Sequence, residues 1–445
     1  MSAAAVHKLP NELLAFIFTL LLWDLAALKL PSHRRVLATV CKSWLHQVVH
    51  TPTLWRRIPL HACVTINHIQ FCLTRSNGVD LEVDIRSWGP DVVDDLDEGK
   101  RKTRSRGSYG FATFVGTFLL QHLSRIRTLS IAFTQSYDLS MVLRSVHESS
   151  APLLTNLRLQ IGEVQSWSSA HKERLPVHWV SLKLLDLSGV GGDWFHAAQG
   201  VHLTCLLFRG IRCNDMTVDQ ILDVLDTLQA LQTLEYTHVH CLGDVSPADR
   251  VTELKYLTQL SICLYDSDGV EVFRHLRLPA LVDIHFLQYT TICIEPLLLA
   301  CVDFLRKSPR VQVQFGDHPY GDFDTLWTNI CEVVHLDLGN SDSTVWEHLK
   351  DFLWRDNHRQ HFTQLHTLVI PLIVTIEEAK DITQQLQSQG LPPVCLYAKT
   401  NSGVQKMPDW REWMIQDNEV TFISPAFFPT FDWDVVEGSP HGWWK

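Results

Sequence analysis

The residues best suited to bind a metal are His238, His240 and Cys241, which offer nitrogen and sulfur ligands within four positions. A structural zinc site needs four such ligands, usually as two spaced pairs, and the second pair is missing here. The chain contains 23 histidines, so a cluster of this size is expected by chance. The sequence therefore predicts no metal site.

The sequence gives little support for catalysis. Cys41 could act as a nucleophile, but it lies on an apolar helical stripe, which favours a packing role. The motifs GxxxxGKS/T, GxSxG, HExxH and CxxC do not occur, and the glycines from Gly189 to Gly192 lack the spacing of a dinucleotide-binding loop. We therefore expect a protein that is not an enzyme and binds no cofactor; the alternative is an enzyme whose site is assembled from distant residues.

A charged segment interrupts the apolar pattern at 91–109, where an acidic block is followed by a basic one. We interpret it as a mobile surface loop of about 89–110. Its basic run, 100–106, could serve nuclear import or phosphate binding, and Thr103 and Ser105 could accept phosphate. Short charge runs are more often simply solvated, so both interpretations stay open.

The bulk composition restricts the partners and the compartment. The formal net charge is -11, so neither nucleic acid nor an anionic membrane is a favoured partner. The apolar run from Leu13 to Trp23 is too short to span a bilayer and has Glu12 and Asp24 at its ends, unlike a signal peptide. Eleven singly placed cysteines and the absence of an Asn-x-Ser/Thr sequon favour the cytoplasm or the nucleus.

Two amphipathic helices are predicted near the N-terminus from apolar residues at helical spacing. The first carries Leu13, Leu14, Ile17, Phe18 and Leu21, and the second carries Val36, Leu37, Val40, Cys41, Trp44 and Val48. Pro10 suits the first turn, Pro31 is expected to end the first helix, and 32–35 is expected to be a basic connector. Thr51 and Pro52 begin a short turn. A module of about 50 residues buries such stripes poorly by itself, so a partner surface is expected.

Three submotifs in this module resemble the F-box, the adaptor-binding module of cullin-RING ubiquitin ligases. They are LPxELLxxIF at 9–18, VCKxW at 40–44 and TPxLW at 51–55, and the resemblance covers about the first 58 residues. The segment between Phe18 and Val40 is longer than usual, which is similar to the expanded F-boxes of fungal proteins. The resemblance implies that the residues at the motif positions bind a Skp-family adaptor: Leu9, Pro10, Leu13, Leu14, Ile17, Val40, Cys41, Trp44, Leu54 and Trp55. Trp44 and Trp55 could instead pack the core of the module.

From Ile58 onward, the pattern LxxLxL recurs with aliphatic or aromatic residues. Copies begin at 126, 154, 182, 203, 231, 257 and 281, so the successive steps are 28, 28, 21, 28, 26 and 24 residues. Later copies begin at 333, 365 and 391, an earlier strand is expected at 79–85, and a further copy is expected around Val313. This period is that of leucine-rich repeats.

One unit illustrates the expected repeat. Thr217 and Gln220 form a capping-box pair, which predicts a helix over 218–229, and Leu231, Leu234 and Tyr236 alternate as a strand. Stacking such units makes the strands parallel and lines a concave face. The intervening residues Thr233, Glu235 and Thr237 are expected to point into that concavity, where a target protein could bind.

The sequence as a whole predicts an α/β protein. We expect an all-α F-box domain at 1–60, a leucine-rich-repeat-like solenoid at 61–400 with parallel strands on its concave face, and a Trp-rich cap or tail at 401–445. The tryptophans of the last segment, Trp410 to Trp444, could cover the end of the array or bind a partner.

The resemblance implies a substrate-recognition subunit of an SCF-type cullin-RING ubiquitin ligase. Its F-box would bind a Skp-family adaptor and, through it, cullin, while the repeats would hold an unidentified target protein. The alternative is a scaffold or regulatory binding protein that delivers nothing for ubiquitination.

Overall fold

The computed structural model contains two compact units, Met1–Leu203 and Thr204–Lys445. It describes residues 9–23, 30–61, 64–87, 98–161, 179–190, 202–209, 212–237, 240–242, 250–263, 272–286, 312–315, 327, 335–338, 343–354, 365, 367–371 and 395–399. His238, the helix expected after Thr375 and the tryptophans from Trp410 onward lie outside the described residues.

The first unit begins with helices α1 (Asn11–Trp23), α2 (Leu30–Val40) and α3 (Lys42–His50) and a 3-10 turn, Pro52–Trp55. Two expectations were wrong. Pro31 lies in the first turn of α2, where its missing N–H costs little, so 32–35 is helical and not a connector. Cys41 has extended backbone angles (φ -161°, ψ 169°), so it separates α2 from α3 and the second stripe is shared by two helices.

One face of each N-terminal helix contributes to a small core. Leu14, Phe18 and Leu22 of α1 recur every four residues and are buried. They are joined by Leu30, Leu37, Val48, Leu54, Trp55 and Ile58. The Trp55 indole Nε1 donates a 2.7 Å hydrogen bond to the Val48 carbonyl, so its one polar atom is satisfied inside this core.

Five parallel strands follow among the described residues of the first unit. They are β1 (Arg57–His61), β2 (Leu81–Arg86), β3 (Ile126–Phe133), β4 (Asn156–Ile161) and β5 (Leu184–Ser188), which pair in chain order. Leu129 lies opposite Val83 and Leu157, and Leu157 lies opposite Leu185, so the repeated leucines form one buried row. The predicted strand at 79–85 is confirmed as β2, whereas β1 was not predicted as a strand.

Helices α4 (Ile66–Ser76), α5 (Glu98–His122) and α6 (Ser136–Ser145) connect these strands. The loop expected at about 89–110 is corrected for 98–110, which belong to α5, whereas 89–97 lie outside the described residues. Ala112, Val115 and Leu119 are buried on one face of α5 and stabilise its C-terminal half. Extending a formed helix through Lys, Arg and Ser residues costs far less free energy than nucleating a new one.

The second unit contains a parallel sheet of eight strands among its described residues. They are β6 (Cys205–Arg209), β8 (Thr233–Thr237), β11 (Gln259–Cys263), β13 (Asp283–Phe286), β14 (Gln312–Phe315), β15 (His335–Asp337), β16 (Thr367–Pro371) and β17 (Cys395–Lys399). Val313 pairs with Ile284 and Leu336, which confirms the repeat expected between 281 and 333.

Shorter elements complete the repeats of the second unit. The strand β7 (Arg212–Thr217) pairs with β9 (His240–Leu242), and β10 (Thr252–Glu253) pairs with β12 (Leu276–Arg277). Two helices of this unit are described over their full length, α7 (Val218–Thr227) and α8 (Ser343–Trp354). The capping box of α7 is confirmed, because the Gln220 amide donates to the Thr217 hydroxyl and the Gln220 side chain accepts from the Thr217 amide.

The expectation that Glu235 and Thr237 are open to a target protein was wrong. Both are buried, and Arg209, on the neighbouring strand, forms a bidentate ion pair with Glu235 whose Nη2–Oε2 distance is 2.7 Å. A carboxylate satisfied in this way is stabilised in place and offers little to a ligand. Thr233 remains half-buried, and its hydroxyl donates to the Gln259 side chain at 3.2 Å.

Candidate protein interaction surface

Helix α1 exposes large apolar side chains on the side away from its buried stripe. Leu13, Phe16, Ile17, Leu20 and Leu21 are each between 38% and 60% exposed, although Leu14, Phe18 and Leu22 are buried. A helix that is apolar on all sides normally lies inside a protein, and contiguous exposed apolar patches mark interaction sites. The outer side of α1 is therefore a candidate protein interaction surface.

The next two helices add to the exposed apolar area. Val36 and Val40 of α2 are 62% and 55% exposed, and Leu45 of α3 is 46% exposed. Together with the five exposed residues of α1, we call this set of eight side chains the apolar face. The apolar face accounts for about half of the large hydrophobic residues that are exposed in the described part of the chain. This concentration within 33 positions argues against a random scatter of surface leucines.

The structure divides the ten predicted adaptor-binding residues into three groups. Pro10, Leu13, Ile17 and Val40 are exposed. Leu9, Cys41 and Trp44 are half-buried. Leu14, Leu54 and Trp55 are buried and pack the module's own core. Only the first group can make a full contact with another protein without rearrangement.

Trp44 and Trp55 both pack against other aromatic rings of the first unit, as the alternative to adaptor binding predicted. Trp44 lies edge-on to Phe18, with ring centroids 4.8 Å apart, and Trp55 meets Phe71 of α4 edge-on at 5.1 Å. Aromatic pairs in this geometry stabilise a core beyond the area they bury. Trp55 is therefore a core residue of the module. Trp44 packs against Phe18 but remains partly exposed to solvent.

Five exposed residues of the apolar face were not among the predicted contacts: Phe16, Leu20, Leu21, Val36 and Leu45. These five residues lie outside the F-box motif positions, so the resemblance did not predict them as contacts. A usable signal was present in the sequence, since α1 has apolar residues on every side and one buried stripe accommodates only a third of them.

Arg34 attaches the helical module to the first strand. Its guanidinium is buried, its Nη2 donates a 2.9 Å hydrogen bond to the Arg57 carbonyl of β1, and its Cζ lies 4.9 Å from the centre of the Trp55 ring. In return, Arg57 Nη1 donates to the Leu22 carbonyl of α1 at 3.1 Å. These contacts join α1, α2 and β1 without an intervening spacer.

Burial sets the electrostatics around Arg34. It lowers the pKa of the guanidinium to about 10; Cys72 opposes this effect, and the positive charge of Arg57 adds to it. Burial also raises the pKa of the Cys72 thiol, although the Arg34 charge acts in the opposite direction. Cys72 thus remains a protonated packing residue at neutral pH, and no nucleophile is generated there.

Polar side chains fill the other side of the sheet in both units. Arg158 Nε contacts the Asp186 carboxylate at 2.6 Å, and Arg56 pairs with Glu82. Arg158–Asp186 and Arg209–Glu235 join neighbouring strands, and Arg56, one residue before β1, reaches Glu82 of β2, so each pair links charges one repeat apart. They stabilise the stacking of repeats and bring no acid, base and nucleophile together.

Neither a metal centre nor a membrane span is found in the described residues. No group of three His, Cys, Asp or Glu side chains there could hold a metal ion. Of the helices described, none has the length and apolar character needed to cross a bilayer.

Comparison with known proteins leaves the family open. No family model matches the chain, and no curated protein matches it. A solved internalin from Listeria monocytogenes is similar at 13% identity and a TM-score of 0.30, covering 70% of this chain and 94% of that chain. A similarity at this level carries no weight for function, which has to be inferred from the chain's own surface.

Proposed function

We propose that this chain is the substrate-recognition subunit of an SCF-type cullin-RING ubiquitin ligase. The observation that carries the proposal is the apolar face on α1 to α3, which lies in the segment that resembles the F-box and remains exposed after the repeats have buried their own leucines. A Skp-family adaptor is the partner that this resemblance implies. The repeat sheet then holds a target protein.

The mechanism is one of position, with no catalytic residue in the chain. Cullin brings the ubiquitin-loaded conjugating enzyme, and binding of a target to the repeats raises the effective concentration of its lysines near that enzyme. Such a mechanism requires a stiff connection between the two binding surfaces. The Arg34 and Arg57 contacts between the helices and β1 are suited to that requirement.

Adaptor capture tests this proposal. The full chain is mixed with a purified Skp adaptor and cullin, and the recovered complex is compared with that of the Leu13→Asp, Ile17→Asp variant. Both substituted residues are exposed, so the variant keeps its core. Burying two carboxylates in an apolar interface should reduce recovery at least tenfold, which corresponds to about 1.4 kcal/mol or more.

The matched control is Leu120→Asp on α5, because Leu120 is 52% exposed against 49% for Leu13. We expect this variant to recover adaptor and cullin as well as the unmodified chain. No binding by the unmodified chain, or equal recovery with the Leu13, Ile17 variant, would contradict the proposal.

The alternative function is a scaffold or regulatory binding protein that uses the repeats without ubiquitination. Quantitative proteomics after proteasome block separates the two. A ligase subunit should accumulate ubiquitinated partners with the unmodified chain and not with the Leu13→Asp, Ile17→Asp variant. A scaffold should recover the same partners with both chains, without a ubiquitin difference.

A further inference from the structure

Two histidines lie one turn apart on the exposed side of helix α3. His46 and His50 are both exposed, and their ring centres are 4.3 Å apart with the ring planes tilted by 40°. Residues four positions apart face the same side of a helix, so both side chains reach the same region of solvent. Two imidazoles at this spacing are the ligand pair that helical metal sites use.

The core of the helical module holds the backbone between the two histidines in place. Val48 of the same helix is buried, and its carbonyl accepts the hydrogen bond from the Trp55 indole at 2.7 Å. At the end of the helix, the Thr51 amide donates to the Gln47 carbonyl at 3.1 Å. The last turn of α3 is therefore formed without a ligand, so binding an ion requires the ordering of two side chains only.

The two rings are available as metal ligands. Neither ring forms a hydrogen bond or an ion pair with any residue that the structure describes. Helices α2 and α3 contain no Asp or Glu, so imidazole is the strongest donor that they supply. Imidazole suits zinc, copper and nickel, whereas calcium, magnesium and manganese prefer carboxylate and carbonyl oxygens. The class of ion that fits is a late divalent transition metal.

The ring separation favours one coordination geometry. A metal about 2.0 Å from an imidazole nitrogen lies about 3.2 Å from the centre of that ring. Two such rings are about 4.5 Å apart if they meet the metal at a right angle and about 5.2 Å apart at a tetrahedral angle. The observed 4.3 Å is closer to the right angle, which belongs to the tetragonal sites of Cu²⁺ and Ni²⁺.

The end of the helix also favours a cation. The last carbonyl groups of a helix carry partial negative charge, which attracts positive ions to the final turn. His50 is the last residue of α3, so an ion between the two rings lies beside this turn. Lys42 lies one turn before His46, about 6 Å along the axis. Its exposed ammonium is screened by solvent, so it reduces this attraction without abolishing it.

Gln47 distinguishes this pair from the site of a zinc hydrolase. In the HExxH motif, a glutamate follows the first histidine and acts as the general base on metal-bound water. Gln47 occupies that position here and is not a base, and its side-chain amide donates to Thr51 Oγ1 at 2.9 Å. The pair can therefore bind an ion, but Gln47 provides no base to activate the water on it.

We propose that His46 and His50 bind one Cu²⁺ or Ni²⁺ ion through one nitrogen of each ring. Water fills the remaining positions, because the pair supplies two ligands and a closed structural centre needs four. An ion that links residues 46 and 50 fixes the last turn of α3 and therefore stabilises the helical module. The site is independent of the apolar face, so it stands whether or not α1 binds an adaptor.

Calorimetric titration of the full chain with NiCl₂, without a histidine tag, measures the binding. We expect saturable binding of one ion that His46→Gln and His50→Gln each weaken at least tenfold. The double variant should lose little more than either single variant, because the loss of one ligand already breaks the chelate. CuSO₄ should bind more tightly than NiCl₂, and ZnCl₂ should bind more weakly.

The matched control replaces two exposed histidines that are not four positions apart, His147→Gln with His202→Gln. It should leave the nickel affinity within twofold. Excess NiCl₂ should also raise the melting temperature of the unmodified chain by at least 2 °C more than that of the His46→Gln, His50→Gln variant. Circular dichroism of both double variants without metal checks that glutamine leaves the helices intact.

Several results would overturn the proposal. These are no saturable nickel binding, an equal loss with the His147, His202 variant, or full binding by either single variant of the pair. Tighter binding of ZnCl₂ than of NiCl₂ would overturn the tetragonal assignment. Leu13→Asp with Ile17→Asp should leave nickel binding unchanged, which keeps this test separate from that of the adaptor.

Discussion

The guanidinium of Arg34 lies over the indole of Trp55, 4.9 Å from the ring centre, and both side chains are buried. This contact closes the N-terminal core on the side of the first strand, because Arg34 also donates to the Arg57 carbonyl. Its geometry combines a cation–π contact with a charged hydrogen bond. Arg34 therefore contributes to the stability of the helical module through two contacts at once.

Arg34→Ala should lower the free energy of unfolding by about 2–4 kcal/mol, because it leaves a cavity and an unpaired carbonyl. The neighbouring Arg35 is exposed, so Arg35→Ala should change it by less than about 0.5 kcal/mol. Arg34→Met should cost less than Arg34→Ala, since it fills the space and removes a desolvated charge. Urea denaturation of the three variants checks the order, and equal effects of Arg34→Ala and Arg35→Ala would contradict it.

Acid pH should destabilise the first unit through its histidines. Burial lowers the pKa of His61, His68 and His122, and for His68 and His122 a nearby arginine adds to the effect. A folded-state pKa below the ordinary 6.5 means that the unfolded chain binds protons more readily. The neutral histidines should therefore not reduce the free energy of unfolding above pH 6.5, and this free energy should decrease as the pH falls below 6.5.

His68 provides a check of this pH effect, because burial and the charge of Arg34 both lower its pKa. Its ring Nε2 lies 3.5 Å from Cys72 Sγ. In His68→Gln, the loss of melting temperature between pH 7.5 and pH 5.0 should be smaller than in the unmodified chain. Thermal scans at both pH values measure it. An unchanged loss would assign the pH dependence to other groups.

Two glycines of α5 should respond differently to substitution. A Cβ at Gly110 would meet no atom within 4 Å, so Gly110→Ala should stabilise by about 0.5–1 kcal/mol through helix propensity. A Cβ at Gly116 would lie 2.5 Å from Ser145 Oγ, so Gly116→Ala should lose this gain, and Gly116→Val should destabilise clearly. Thermal unfolding compares them, and a stabilising Gly116→Val would show that α5 and α6 are not in this close contact.

A side chain at Gly189 should destabilise the protein more than one at Gly78. Its φ is +66°, and a Cβ would lie 2.4 Å from the Ile161 carbonyl oxygen. Gly78 has a similar φ of +81° but nothing within 4 Å, so it isolates the cost of the backbone conformation. Gly78→Ala should cost about 1 kcal/mol and Gly189→Ala at least twice that, measured by urea denaturation. Equal costs would mean that the Ile161 backbone moves aside.

The strand positions could be predicted because each repeat buries its leucines at a fixed spacing. Val313 shows the strength of that signal, since its strand was expected from the 52-residue gap between two recognised copies. The strand β1 was not predicted because it contains Pro59, and a strand tolerates proline best at the edge of a sheet. Its pairing with β2 on one side explains how the proline is accommodated.

Other features depend on contacts that apolar spacing does not record. Glu235 was expected to be accessible because it alternates with buried residues, yet Arg209 covers it from a strand 26 positions away. The break at Cys41 is equally invisible, because the apolar stripe continues across it. The apolar face was predicted in part, and its extension to Phe16 and Leu45 required knowing which side of each helix the core uses.

Only Arg56 separates Trp55 from β1, so the helical module is fixed at the start of the sheet. Distances from it along the sheet are then set by the number of stacked strands. Each strand moves a bound partner by about 4.8 Å, so a segment held at β5 lies roughly 19 Å along the sheet from β1. Inserting or deleting one 28-residue repeat would change that distance by a single step. Under the proposed function, the number of repeats would therefore set the distance at which a target lysine is presented.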